Sequence, residues 1–146
     1  MISSLLEKQL QSVFLSENIA LFNAHQELTL EVAMHEVFQT LETLRDNKFF
    51  QFDTLIDVCG VDYSAFGLSE WETSDASSLG FCRGREAESG SKGLTPKLAV
   101  VYHLLSTKLN QRIRVKAYCL DEHPIVPSVV SLWPSANWFE REAYDL

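Results

Sequence analysis

The stretch LAVVYHLLSTKLNQRIRVKAYC, residues 98–119, decides the fold class. Its second half alternates. Ile113, Val115, Ala117 and Cys119 fall on one face, and Arg112, Arg114, Lys116 and Tyr118 fall on the other, the period of a half-buried strand. Its first half, Leu98 to Leu105, is apolar on both faces except at His103, which predicts a central strand covered on both sides. The short polar turn between them makes the pair an antiparallel hairpin.

Upstream, Phe52 to Tyr63 has a β-branched centre and reads as a strand, with Gly60 marking a bend or bulge. Glu27 to Val32 alternates Leu28, Leu30 and Val32 with polar residues, a half-buried strand. His35 to Lys48 places Val37, Leu41 and Leu44 on one helical face, with Phe38 beside it. Leu6, Leu10 and Val13 predict a short N-terminal amphipathic helix. Ser64 to Pro96 is rich in Ser, Gly and acidic residues and reads as a long flexible loop or an inserted hairpin.

Downstream, Pro124 and Pro127 interrupt the chain, and Ser128 to Trp133 can form one helical turn stopped by Pro134. A last helix follows. Asn137 with Glu140 is a capping-box pattern, and Phe139, Ala143 and Leu146 line its apolar face. Strands cluster instead of alternating with helices. The expected class is α+β: a mainly antiparallel β-sheet with N-terminal helices on it and a C-terminal helix, in one domain over residues 1–146.

Composition narrows function. A chain of 146 residues buries about 70% of its unfolded surface and needs no disulfide or structural metal to fold. The formal net charge of -8 argues against nucleic acid and against anionic lipid head groups as partners. Cys59, Cys82 and Cys119 are spaced too widely for a C-x-x-C metal or cluster site and read as reduced thiols. The first residues resemble neither a secretory signal nor a transit peptide, and no stretch is apolar for long enough to span a bilayer. The expectation is a soluble chain, held at any membrane by other proteins.

Motifs for chemistry fail one by one. His35-Glu36-Val37-Phe38-Gln39 lacks the second histidine of a zinc protease helix, so His35 reads as a first-turn helix residue. Gly84 to Gly93 lacks phosphate-loop spacing, and no dinucleotide or nucleophile-elbow motif occurs. Glu140 and Glu142, two apart on a helix, point in nearly opposite directions and cannot share a substrate. Glu142 and Asp145 share a face without a histidine. His103 reads as a hydrogen-bonded core histidine. Arg112, Arg114 and Lys116 form a basic stripe, read as a solvated sheet face or a partner-docking surface. Trp133, Trp138, Phe139 and Tyr144 are expected to pack in the core, although aromatics beside charges on a terminal helix can also anchor a partner.

Four blocks carry a family resemblance. Phe52-Asp53-Thr54-Leu55-Ile56-Asp57 running to Val61-Asp62-Tyr63, Val100 to Ser106, and Arg112 to Lys116 each resemble a block of the C subunits of respiratory complex I. The most specific is Pro127-Ser128-Val129 through Leu132-Trp133-Pro134-Ser135-Ala136-Asn137-Trp138-Phe139-Glu140-Arg141-Glu142-Ala143-Tyr144-Asp145-Leu146, which is similar to the family signature. Two departures stand out. The family normally continues with Phe-Gly and a further segment where this chain stops at Leu146, so a shortened polypeptide is expected, and residues 64–96 exceed the family's usual loop.

The resemblance implies a non-catalytic scaffolding subunit of the proton-translocating NADH:quinone oxidoreductase. It implies a place in the peripheral arm, on the cytoplasmic side of a bacterial inner membrane, with membrane association only through the complex. The D subunit is the implied principal partner, with the B and I subunits nearby. FMN, iron–sulfur clusters and quinone belong to other chains of the complex, and no cofactor is expected in this one. Trp138, Glu140, Arg141, Glu142, Tyr144 and Asp145 lie in the signature and are expected to serve assembly. The competing family is the equivalent component of a membrane-bound hydrogenase or related quinone-linked dehydrogenase.

Overall fold

The computed structural model describes residues 2–14, 19–63, 98–119 and 124–145. Among them, five strands form one sheet: β1 (Ile19–Ala24), β2 (Glu27–Ala33), β3 (Thr54–Asp62), β4 (Leu98–Ser106) and β5 (Gln111–Cys119). Their order is β1-β2-β5-β4-β3. Three pairings are antiparallel, and β2 runs parallel to β5. Helices α1 (Ile2–Val13), α2 (Val37–Asp46) and α3 (Ala136–Asp145) complete the α+β fold expected from the sequence. The loop expected over Ser64–Pro96, with Cys82 and the glycines of 84–93, lies outside the described residues, as does Leu146.

The period-2 pattern sorts side chains to two faces of the sheet. Leu28, Leu30 and Val32 of β2 meet Ile113, Val115 and Ala117 of β5 and Val100, Tyr102 and Leu104 of β4 in one buried cluster. All three helices contribute to it: Leu6 and Leu10 from α1, Val37, Leu41 and Leu44 from α2, and Ala136 from α3. Among the described residues, the helices lie on one face of the sheet. Full burial of Leu41 or Leu44, each at 0% exposure, contributes about 1.5–3 kcal/mol.

Several elements differ from the sequence reading. Strand β1 was not expected. It reaches β2 through His25 and Gln26, at φ 54° and 67°, a left-handed pair that normally calls for Asn-Gly. His35 sits in a 3-10 turn, Met34–Glu36, and α2 starts only at Val37. Strand β4 is interior, with Ala99 and Val101 buried on its second face, but β5 holds the middle of the sheet. His103 is half-buried on that second face, in register with Asp57 and Arg114, and not in the helix-covered core. The irregularity of β3 falls between Leu55 and Asp57, which leaves Ile56 out of register and 43% exposed. Gly60 pairs regularly with Val100, so it is not the bulge.

Candidate docking surface

The sequence WPSANWFEREAYD begins by burying one tryptophan and ends by exposing another. Trp133 is 4% exposed, and its indole N–H donates to the carbonyl of Phe52 at 3.2 Å. Val129 and Leu132 are buried beside it, and the N–H groups of Leu132 and Trp133 both donate to the Val129 carbonyl, closing the expected helical turn. The Arg45 guanidinium on α2 donates to the Leu132 carbonyl at 3.2 Å. It also donates to Asp46, a bond that holds the Asp46 carboxyl below its usual range.

Pro134 then ends the turn and α3 starts at Ala136, so Asn137 lies inside the helix and the expected capping box does not form. Glu140 instead reaches backwards across the chain. One carboxylate oxygen accepts from the Ser128 hydroxyl and the other from the Val129 N–H, both at 2.7 Å. A charged acceptor with two short bonds clamps the 128–129 backbone to α3. Of the apolar face expected on this helix, Phe139 packs against the core, whereas Ala143 is exposed.

The exposed surface of α3 is what remains. Trp138 is 70% exposed and Tyr144 90%, so core packing, the default for all four aromatics, holds for Trp133 and fails for these two. The Arg141 guanidinium lies 5.3 Å from the Trp138 ring centre, a cation–π stack that pre-orders both side chains. Glu142 and Asp145 are exposed on the same helix. Ile125, 81% exposed, precedes it. Large aromatics left in water on a pinned helix are the composition of a protein-binding hot spot.

The basic stripe on β5 is a different matter. Arg114 pairs with Glu27, and Lys116 lies 3.7 Å from Glu31, both acids coming from the parallel neighbour β2. Lys116 also lies over the rings of Tyr63 and Tyr118, at 4.6 and 4.4 Å. Burial pulls its ammonium down, and the two tyrosines more than restore it. Most of the stripe is thus neutralised within the sheet, and only Arg112 is exposed. The half-buried Cys59 thiol is pushed up by burial, then by Asp57, which keeps it an inert thiol. Among the described residues no group of three His, Cys, Asp or Glu is placed to hold a metal ion. No described helix is long and apolar enough to cross a membrane.

Residues 30–146 match the family described as respiratory-chain NADH dehydrogenase, 30 Kd subunit. The chain belongs to that family. Its relatives include the C subunit of the NADH-quinone oxidoreductase of Legionella pneumophila strain Paris, 49% identical over 97% of this chain, and that of Vesicomyosocius okutanii, 47% identical over 97%. A third, from Coxiella burnetii strain RSA 331, is 45% identical over 82%. The chain spans 63%, 67% and 54% of those relatives' lengths, respectively.

Proposed function

We propose that this chain is a scaffolding component of the NADH:quinone oxidoreductase and performs no catalysis of its own. It packs in the peripheral arm against the D subunit, with the B and I subunits nearby, on the cytoplasmic side of the bacterial inner membrane. FMN, iron–sulfur clusters and quinone are held by other chains, and this one keeps the electron carriers in register by shape.

The observation that carries this reading is the pairing of Trp138 and Tyr144, exposed, with Glu140, which fixes the same helix to the core. A helix anchored on one side presents its aromatics without the entropy of ordering them on binding. The relatives support the same assembly, since each is itself one component of a multi-chain oxidoreductase.

The test is a Trp138→Ala, Tyr144→Ala double variant introduced into the intact oxidoreductase. The expected result is a folded chain with unchanged secondary structure that no longer co-purifies with the D subunit, and loss of NADH:quinone turnover in the membranes. Normal assembly of the variant would defeat the docking role. NADH oxidation by the isolated wild-type chain would defeat the scaffold reading altogether.

A further inference from the structure

Among the described residues, nothing requires position 60 to be glycine. It sits in the middle of β3, in regular register opposite Val100, and the bulge of that strand lies nearer its start, between Leu55 and Asp57. Its φ lies outside the left-handed range, and a Cβ built on it meets no atom of the described residues within 4 Å. A bare strand position weakens the strand, and where neither turn nor bulge explains it, the remaining explanation is close approach by something outside the strand.

That something has a place to sit. Beside Gly60 a cleft of about 760 Å³ runs between edge strand β3 and the second half of α3. Its walls include Val58, Val100, Val126 and Ala143, so its interior is largely apolar. Its charged lining is of one sign. Among the described residues that border it, Asp57, Asp62, Glu140 and Glu142 are carboxylates and none is Lys, Arg or His. Glu140 and Glu142 thus reach one cleft despite their opposed helical positions, and the oxygens of Glu140 are already held by Ser128 and Val129.

We infer that this cleft receives a segment of another chain of the complex, with apolar side chains that pack over Gly60 and Lys or Arg beside them that meet Asp57 and Glu142. The apolar walls exclude a fully hydrated basic tail as occupant, and the one-signed lining disfavours an acidic segment. The inference deepens the scaffold reading and rests on it for the partner's origin. It concerns the side of α3 that carries Glu142, Ala143 and Tyr144; Trp138 does not line the cleft.

Gly60→Leu, measured in the intact oxidoreductase and in the isolated chain, tests it. Leucine has room in the free chain, so its melting temperature should stay the same or rise. The share of the variant found in the assembled complex should fall by about tenfold or more, as expected when a packed hot spot is blocked. Wild-type assembly of Gly60→Leu, or a marked fall in melting of the isolated variant, overturns the proposal. A photo-cross-linking residue at Ala143 in otherwise wild-type protein identifies the occupant. A cross-link to an apolar segment of another chain of the oxidoreductase that carries Lys or Arg supports the inference, and a cross-link within this chain overturns it. A cross-link to such a segment of a protein outside the oxidoreductase defeats the scaffold reading while the cleft assignment stands.

Discussion

Trp133 and Trp138 stand five residues apart in one motif and live in opposite environments. Trp133 gives its indole N–H to the Phe52 carbonyl and is covered by the core, whereas Trp138 is 70% exposed with Arg141 stacked on it. Residues 128–133 are tied to α2, to the segment just before β3 and to Glu140 of α3 by hydrogen bonds, and Trp138 lies outside those ties. Two side chains of identical chemistry thus sit in opposite environments within one motif, with Pro134 between them.

The contrast predicts a graded set of outcomes. Trp133→Ala should have the largest effect, destabilising the isolated chain by about 3–5 kcal/mol in chemical denaturation, as truncation of a buried aromatic does. A smaller loss would mean that the anchor is shared more widely than the geometry indicates. Glu140→Ala should cost about 1–3 kcal/mol, because the partly buried Val129 N–H loses a charged acceptor. It should also loosen the direction of α3, seen as faster amide exchange over 128–130. Glu140→Gln, which keeps an acceptor, should show a smaller change in both.

A pH prediction concerns the β3 side of the anchor. Asp53 accepts from the Thr107 hydroxyl at 2.6 Å and from the Thr54 hydroxyl at 2.8 Å, and these bonds, the Thr107 hydroxyl's first, hold its carboxyl below the usual carboxylate range. A group whose native pKa is depressed stabilises the fold in full above its unfolded value and loses that contribution as pH falls through the native one. Stability should therefore decline as pH falls below about 4, and Asp53→Asn should flatten that part of the curve. An unaltered acid profile in the variant would show that the Thr107 contact contributes nothing. The smallest expected stability change belongs to Trp138→Ala, within about 0.5 kcal/mol, as for an exposed surface position. Its entire effect should appear in co-assembly, and a melting shift like that of Trp133→Ala would erase the distinction between the two rings.

Local pattern and distant pairing were not equally legible in the residues. The β4–β5 hairpin and the faces of β2 and α2 follow from alternation and helical spacing, since Ile113, Val115, Leu30, Leu41 and Leu44 all lie in the core cluster. Strand β1 escaped because its turn uses His25 and Gln26 where the usual signal is glycine. Parallel pairing of β2 with β5 joins residues such as Thr29 and Arg114, 85 positions apart, which no window of sequence contains. The same distance hid the neutralisation of Arg114 and Lys116 by Glu27 and Glu31. Gly60 reads as a bend or bulge from sequence because glycine in a strand has several causes, and only a register can tell them apart. The exposed pair, Trp138 and Tyr144, shares residue types with a core, so burial could not be read from identity.

The parallel seam between β2 and β5 has a kinetic consequence. Among the described strands, β1 and β2 join the rest of the sheet along that seam, and their partner strand is synthesised some eighty residues later. Closing so long a loop carries an entropic toll that local hairpins avoid. The β4–β5 hairpin should therefore nucleate first, with the leading helix and its two strands docking last, so during translation the unsatisfied edge of β2 waits exposed to chaperones until residue 119 has left the ribosome.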